Sequence, residues 1–280
     1  MKKDKKISFD ISTYCNHNCT FCSTQDSRSL KDKVSTSNFE IVMDNVLRYV
    51  NTVELGLSAK GEVFLNNDLP NIIKLAKKKY NIPYVYISTN GVLSTKEKLI
   101  NILESGIDSI KFSINGLNKD TYLDVHKKDD FLLVIQNLKE LIYLKKTRFP
   151  NCKILISSVT EIDQKELEIK FNDLLGYDNY IFIEAIIKYD ITYTPSFGQV
   201  YSSNKIIRKC LIPFDEIYIN SDCTLGLCCV DYFDEINFGN LLIKDFKDLY
   251  NNRKFHNIRE MHKTNLYPDN HICKNCLSYE

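Results

Sequence analysis

Hydrophobic residues follow two alternating patterns over the first two thirds of the chain. In short runs every second residue is apolar, as at Ile7 and Phe9, and this pattern predicts strands. In longer stretches apolar residues recur three or four positions apart, as at Phe39 and Val42, and this pattern predicts helices. The two patterns alternate six times within 7–187, which favours a parallel sheet with right-handed helical crossovers.

The expected architecture is a partial (β/α)6 barrel in an α/β chain. Its predicted strands lie at 7–11, 53–57, 84–87, 110–114, 154–159 and 180–187. Its predicted helices begin at Ser37, where Glu40 completes a capping box, and then span 69–80, 95–105, 131–145 and 163–174. No Gly-x-Gly-x-x-Gly follows the first strand, so a Rossmann nucleotide site is not indicated. In a barrel the active site forms at the carboxyl ends of the strands.

The pattern changes after the sixth predicted strand. Segment 191–209 contains turn-forming residues and is predicted to be a linker between two domains. Beyond it, a hairpin at 215–220 and 225–230 and two short helices within 244–263 predict a small α+β extension. We therefore expect a barrel domain over 1–190 and a second domain over 210–280.

Composition narrows the possible partners. The net charge is +1 and basic residues are interspersed with acidic ones, so neither a nucleic acid nor a membrane is expected as a partner. No apolar segment follows the lysine-rich start, and no run reaches the ~18 apolar residues of a membrane span. We expect a soluble, cytoplasmic protein. The ten cysteines then indicate metal or redox chemistry rather than disulfides.

Three cysteines, Cys15, Cys19 and Cys22, follow the first predicted strand with the spacing Cys-x3-Cys-x2-Cys. Three thiolates can hold three corners of a cubane iron–sulfur cluster and leave one iron open, since full ligation needs four. A partial zinc site or a chance cluster is the alternative, although structural zinc sites usually pair Cys-x2-Cys with a second ligand pair. His17 lies inside this loop and is expected to be solvated rather than a fourth ligand.

With Phe21 at its aromatic position, this motif resembles the signature of the radical S-adenosylmethionine (SAM) superfamily. The resemblance implies a [4Fe-4S] cluster on Cys15, Cys19 and Cys22, SAM bound at the open iron, and reductive cleavage of SAM to a 5′-deoxyadenosyl radical. Segments after the second, third and fourth strands resemble the SAM-contacting motifs of the family, although Lys60 replaces the first glycine of one. The resemblance therefore implies SAM contacts from Phe21, Gly61, Glu62, Ser88, Asn90, Ser113 and Asn115.

Four further cysteines occupy the C-terminal region with the spacing Cys-x17-Cys…Cys-x2-Cys. Four thiolates close a cubane completely, and a structural zinc site is the alternative. The region resembles the twitch/SPASM extension of radical SAM enzymes similar to 2-deoxy-scyllo-inosamine dehydrogenase. Because the chain ends shortly after the last cysteine, one auxiliary [4Fe-4S] cluster is expected. The resemblance assigns it the ligands Cys210, Cys228, Cys273 and Cys276.

The remaining candidates have weaker signals. Cys223 replaces a family glycine and is either a spare thiol or an alternative ligand, whereas Cys152 is expected to be a buried small hydrophobe. Cys229 could donate a hydrogen atom, and Glu184, a carboxylate in an apolar strand, could be a base or an ion-pair partner. Tyr122 and His126 line a pocket or lie on a helix surface.

By resemblance, the expected reaction is dehydrogenation of an alcohol in a small carbohydrate or cyclitol. The auxiliary cluster would accept the electron, and a flavodoxin or ferredoxin would reduce the first cluster. One alternative is epimerisation of a sugar or peptide with Cys229 or Cys223 as hydrogen donor, and peptide crosslinking is a further option. A non-catalytic zinc or iron–sulfur module is the alternative from another class.

Overall fold

A computed structural model describes residues 2–22, 24, 32–57, 60–158, 164–175, 183–187, 192–194, 199–201, 210–229 and 231–277. Six parallel strands form the barrel: β1 (Lys3–Phe9), β2 (Val50–Gly56), β3 (Tyr84–Thr89), β4 (Ser109–Ser113), β5 (Lys153–Ser158) and β6 (Ile183–Ile187). Five shorter strands follow: β7 (Thr192–Thr194), β8 (Gln199–Tyr201), β9 (Glu216–Ile219), β10 (Thr224–Gly226) and β11 (Asn237–Asn240). All six predicted barrel strands are thereby confirmed in position.

Helices connect these strands in the expected alternation. They are α1 (Thr36–Val46), α2 (Leu69–Lys74, continued by a π-helical turn to Lys79), α3 (Lys96–Glu104), α4 (Lys119–His126), α5 (Phe131–Thr147) and α6 (Gln164–Leu175). The C-terminal region adds α7 (Ile212–Asp215), α8 (Phe246–Tyr250), α9 (Arg253–Thr264) and α10 (Ile272–Leu277). Helix α4 was not predicted as an element, and it proves central to the site.

The start of α1 differs from the predicted capping box. Ser35, rather than Ser37, is the N-cap, and its hydroxyl accepts the backbone N–H of Asn38 at 3.1 Å. The prediction was wrong because Ser35 and Ser37 both precede the apolar stripe and offer the same hydroxyl. The extended backbone of Ser35 decides between them.

The C-terminal hairpin continues the barrel sheet. The sheet has nine strands in the order β11-β10-β9-β1-β2-β3-β4-β5-β6, and β9 pairs in parallel with β1. Part of the predicted linker also forms structure, because β7 and β8 pair as a separate antiparallel ribbon. The partition into a barrel domain, a linker and a second domain stays a prediction. Backbone hydrogen bonds between β1 and β9 join the two predicted domains in one sheet.

The strands present chemically different faces to the two sides of the sheet. One face carries buried apolar residues such as Phe9, Leu55 and Phe112, which pack beneath the helices. Residues in register on the opposite, barrel face are mainly polar and half-buried. They include Ser8, Glu54, Tyr86, Ser88, Lys111, Ser113 and Glu216. The barrel interior is therefore suited to a polar ligand. Among the described residues, no helix is both long and apolar enough to span a membrane.

Candidate active site

The cysteine loop begins just beyond the carboxyl end of β1 and is held by its neighbours on two sides. The N–H of Thr20 donates to the carbonyl of Val125 in α4 at 2.9 Å. The N–H of Glu62 donates to the carbonyl of Tyr14 at 2.7 Å. Within the loop, the N–H of Cys22 donates to the carbonyl of Cys19 at 3.0 Å, which closes a turn between two predicted ligands.

Gly61 allows the loop after β2 to approach the cysteine loop closely. A Cβ atom at this position would lie 2.1 Å from the carbonyl oxygen of Ser12 and 2.6 Å from that of Tyr14. Both obstacles are backbone atoms, which cannot rotate away as a side chain could. The structure thus explains the glycine by packing, and its predicted contact with SAM stays a prediction.

Glu62 joins the loops after β2 and β3. Its Oε1 accepts the Thr89 hydroxyl at 2.7 Å and the Phe64 N–H at 3.1 Å, and its Oε2 accepts the Asn90 N–H at 2.8 Å. The side chain amide of Asn90 in turn donates to Asn16 in the cysteine loop at 2.8 Å. Burial raises the pKa of Glu62, and the hydrogen bonds oppose that rise. The three loops thus form one connected network.

Lys60 connects the barrel to the C-terminal region. Its side chain is 3% exposed, and its ammonium group forms an ion pair with Asp234 and a 3.5 Å hydrogen bond with Asn220. The same ammonium lies 5.7 Å from the ring centroid of Tyr218 in β9. The residue that departs from the family pattern is therefore a buried cation with partners in the extension.

Asp10, at the end of β1, belongs to the same polar cluster. Its Oδ1 accepts the Ser12 N–H at 3.3 Å, while Oδ2 is buried and has no hydrogen-bond partner in the described part of the chain. Burial raises the pKa of Asp10 to about 7, and the charge of Asp234 adds to the rise. The Lys60 ammonium and the N–H groups of Ser12 and Lys60 oppose it.

We expect Asp10 to make stability fall as pH rises. Its folded pKa of about 7 lies above the ordinary value of 3.8, so its contribution is complete below about pH 4 and is lost towards pH 7. The loss amounts to roughly 4 kcal/mol, at about 1.4 kcal/mol for each tenfold change in proton affinity. Urea unfolding between about pH 4 and pH 7 should show this slope in the parent and a flatter profile in Asp10→Asn. Equal slopes in both proteins would contradict the assignment.

His17 and His126 are buried beside Cys19, contrary to the expectation of a solvated His17. They are 3% and 1% exposed. The Nδ1 of His126 lies 3.2 Å from the Cys19 sulfur and 3.1 Å from the Nδ1 of His17. Periodicity alone could not show this, because α4 folds back over the cysteine loop through tertiary contacts. Burial lowers the pKa of His126 to about 3, and the neighbouring His17 adds to the shift.

Helix α4 also carries Tyr122, the other residue that the sequence placed either in a pocket or on a helix surface. Tyr122 is fully buried, and its ring stacks on His126 with centroids 4.0 Å apart. Gly116 lets the loop after β4 pass close to α4, since a Cβ there would lie 2.4 Å from the Tyr122 nitrogen. Tyr122 and His126 thus pack against the cysteine loop and do not lie on the helix surface.

The other predicted SAM contacts gather at the same edge of the sheet. The hydroxyls of Ser88 and Ser113 lie 3.2 Å apart, and that of Ser157 continues the row at 3.5 Å from Ser113. The Asn115 side chain nitrogen lies 3.3 Å from the Nε2 of His126. The Phe21 ring packs edge-on against His126, with centroids 6.5 Å apart. Contact of these residues with SAM stays a prediction.

Three of the four C-terminal ligand candidates, Cys210, Cys273 and Cys276, interact with one another electrostatically. Burial raises the pKa of Cys273 to about 12, and the charges of Cys210 and Cys276 raise it further. The backbone carbonyl of the fourth candidate, Cys228, accepts the Asp231 N–H at 3.3 Å. The charge of Asp231 also contributes to the raised pKa of Cys273. All ten cysteines of the chain lie within the described residues.

The remaining candidates differ in accessibility. Cys223 is buried, and its φ of 65° lies in the left-handed region that favours glycine, which accounts for a glycine there in the family. Cys152 is buried as predicted. Cys229 is exposed. Burial raises the pKa values of Tyr86 and Tyr218 on the barrel face, and nearby carboxylates and the charge of Cys229 add smaller contributions. Glu184 pairs with Leu155 in register, and its side chain lies outside the described part of the chain.

Two family models match this chain, and together they cover most of its length. The model of the radical SAM superfamily matches residues 9–169, and that of the SPASM iron–sulfur cluster-binding domain matches 210–277. The chain belongs to the radical SAM superfamily. Radical SAM enzymes act on small-molecule or peptide substrates. The cofactors implied for this enzyme are a SAM-binding [4Fe-4S] cluster and an auxiliary iron–sulfur cluster.

Individual relatives are distant and differ in function. The chain is 22% identical over 190 residues to the GTP 3′,8-cyclase of Chlorobaculum tepidum, covering 62% of this chain and 54% of that protein. The chain thus spans only about half the length of that curated relative. BtrN in complex with AdoMet and 2-DOIA superposes with a TM-score of 0.58 at 16% identity, covering 94% of this chain and 89% of BtrN. Streptococcus suis SuiB bound to its precursor peptide SuiA superposes with a TM-score of 0.68 at 14% identity. The superposition covers 92% of this chain and 67% of SuiB.

The radical SAM enzyme described here has thiols suited to both cofactors. The cysteine loop places three cysteines where β1, the loops after β2 and β3, and α4 meet. The C-terminal cysteines form a second, separate group. Sequence patterns did not identify Asp10, Tyr218 or Asp234 as site residues. Of these three residues, Asp10 has the clearest sequence indication of a site residue, because it is an acidic residue at the end of an apolar strand.

Proposed function

We propose that this radical SAM enzyme dehydrogenates an alcohol in a small carbohydrate or cyclitol, with the auxiliary cluster as electron acceptor. The observation that carries the proposal is the second cysteine group, whose members lie on both sides, in sequence, of a hairpin bonded to β1 in the barrel sheet. Four thiolates leave no iron open for substrate, and such a cluster is suited to electron transfer. The proposed ligands are Cys15, Cys19 and Cys22 for the first cluster and Cys210, Cys228, Cys273 and Cys276 for the second.

The barrel face supports a hydroxylated substrate. Half-buried hydroxyl, carboxylate and ammonium groups line it, and a sugar or cyclitol can hydrogen-bond to all three. Among them, Ser8 donates to Glu216, and Glu54 forms a 3.2 Å ion pair with the exposed Lys6. Glu184, in register with this face, is the proposed base. We also propose a cytoplasmic location, reduction by a flavodoxin or ferredoxin, and no nucleic-acid partner.

The proposed reaction balances as a two-electron oxidation. The bound cofactors supply a 5′-deoxyadenosyl radical from SAM and a one-electron acceptor. With both groups bound, the carbinol C–H would give its hydrogen atom to that radical, the hydroxyl would give its proton to a base, for which Glu184 is proposed, and the remaining electron would pass to the acceptor. The product is a ketone. The protein positions the carbinol carbon and receives the proton.

Metal content and SAM cleavage test the cofactor assignment. Anaerobically reconstituted protein should hold about eight irons per chain, falling to about four in the Cys15/Cys19/Cys22→Ala variant, since each cubane holds four. Only the parent should form 5′-deoxyadenosine under dithionite. Zinc in place of the second cluster would remove the electron acceptor and overturn the dehydrogenase proposal.

Epimerisation is the second candidate because Cys229 is an exposed thiol whose charge adds, after burial and nearby carboxylates, to the raised pKa values of Tyr86 and Tyr218 on the barrel face. The Cys229→Ala variant separates the two reactions once a cyclitol or sugar substrate is found. A dehydrogenase should largely keep its turnover, whereas an epimerase would lose it. Cys152→Ala, at a buried thiol just before β5, is the matched control. Loss of turnover in Cys229→Ala alone would overturn the dehydrogenation proposal.

A further inference from the structure

A buried chain of hydrogen-bonding groups runs past the sulfur of Cys19. It begins at Asn115, whose backbone nitrogen lies 3.4 Å from the Nε2 of His126. It continues from the Nδ1 of His126 to the Nδ1 of His17 at 3.1 Å. It ends where the Nε2 of His17 meets the Asp130 carboxylate at 3.1 Å. The Cys19 sulfur lies 3.2 Å from the same Nδ1 of His126.

The fixed groups at both ends determine the direction of this chain. The backbone N–H of Asn115 can only donate, so the Nε2 of His126 must accept and carries no proton. The carboxylate of Asp130 accepts, so a neutral His17 carries its single proton on Nε2 and accepts through Nδ1. A neutral His126 must hold its single proton on Nδ1. That N–H therefore has two acceptors within reach, the Nδ1 of His17 and the sulfur of Cys19.

We propose that His126 is a positioning residue that donates a hydrogen bond to the sulfur of Cys19, and that His17 competes for the same proton. The proposal rests on Cys19 as a ligand of the SAM-binding cluster and not on the dehydrogenation reaction. Hydrogen bonds to cluster sulfurs are among the factors that set reduction potential. A donor stabilises the more negative, reduced cluster, so His126 raises the potential and His17 moderates that effect.

The same atoms could also be considered as a metal site, since the ligand atoms of His17, Cys19 and His126 lie within 4.8 Å of one another. A metal needs an imidazole nitrogen with a free lone pair. The Asn115 N–H leaves the proton of His126 on Nδ1, the nitrogen that would face the ion. The geometry therefore favours a hydrogen-bonded chain over a metal site.

Two variants with opposite expected effects test the proposal through the reduction potential of the first cluster. His126→Phe keeps an aromatic ring beside Tyr122 and removes the donor, so the midpoint potential should fall. His17→Phe removes the competing acceptor, so the potential should rise. EPR-monitored redox titration of each reconstituted holoenzyme measures both. Tyr122→Phe is the matched control, because its hydroxyl has no partner in the described structure and its ring stacks on His126.

Nitrogen-15 NMR of the histidine rings in the parent protein gives a readout that needs neither variant. His126 should be protonated at Nδ1 and His17 at Nε2. Protonation of His126 at Nε2, or unchanged potentials in both variants, would overturn the proposal. Stoichiometric zinc binding by the cluster-free protein that is lost in His126→Phe would show a metal site instead. Failure to find a dehydrogenase substrate would leave these measurements unaffected.

Discussion

Replacing Gly61 with alanine should abolish assembly of the SAM-binding cluster. The new Cβ would lie 2.1 Å from the Ser12 carbonyl and 2.6 Å from the Tyr14 carbonyl, so the backbone leading into the cysteine loop must move. That shift would pull Cys15 away from Cys19 and Cys22, and it would disturb Glu62, which joins the loops. Iron should fall from about eight to about four per chain, with one cubane left. SAM cleavage under dithionite should be lost.

Gly106→Ala is the control for general destabilisation. Gly106 follows α3 with φ of 93°, so alanine is strained there, but a Cβ would meet only the Lys77 side chain at 3.5 Å. It should lower stability by about 1 kcal/mol and leave the iron content and SAM cleavage near the parent values. Full iron content and cleavage in Gly61→Ala would show that the cysteine loop tolerates the displacement, and would contradict the prediction.

Replacing Lys60 with methionine should lower the free energy of unfolding by about 3–5 kcal/mol, the usual cost of removing one partner of a buried ion pair. The ammonium is almost fully buried between Asp234 and Asn220. Its positive charge also opposes the rise in the pKa of Asp10 that burial causes. Methionine retains the length of the side chain but leaves Asp234 without its counter-charge. Urea unfolding measures the loss.

Lys79→Met is the matched control. Lys79 forms ion pairs with Glu40 and Asp44, but all three side chains are well exposed. Exposed pairs contribute about 0–1 kcal/mol, so this variant should remain near the parent stability. A double-mutant cycle with Asp234→Asn should show strong coupling to Lys60. Additive effects of the two substitutions would contradict the buried ion pair.

The cluster-ligand candidates and the barrel were predictable because they depend on local spacing. The three cysteines of one loop lie within eight residues, and alternating strand and helix patterns imply a parallel sheet. The carboxyl ends of its strands must then meet at one edge. The candidates Glu62, Asn90, Ser113 and Asn115 gather there for that reason. The partition into two domains was the weaker inference, because strand pairing between β1 and β9 leaves no local signal.

The polar interior contacts were decided by the tertiary structure. Lys60 appeared as a departure from a glycine motif, and only the packing of the β9–β10 hairpin against β1 brings it to Asp234. His17 appeared to be a solvated loop residue, and only the packing of α4 buries it against His126. Sequence periodicity reports which face of an element is apolar. It carries no information on which polar groups, distant in sequence, will contact each other. Because these groups are buried here, leaving one of them unpaired would cost several kcal/mol of stability, about 3–5 for a buried ion pair.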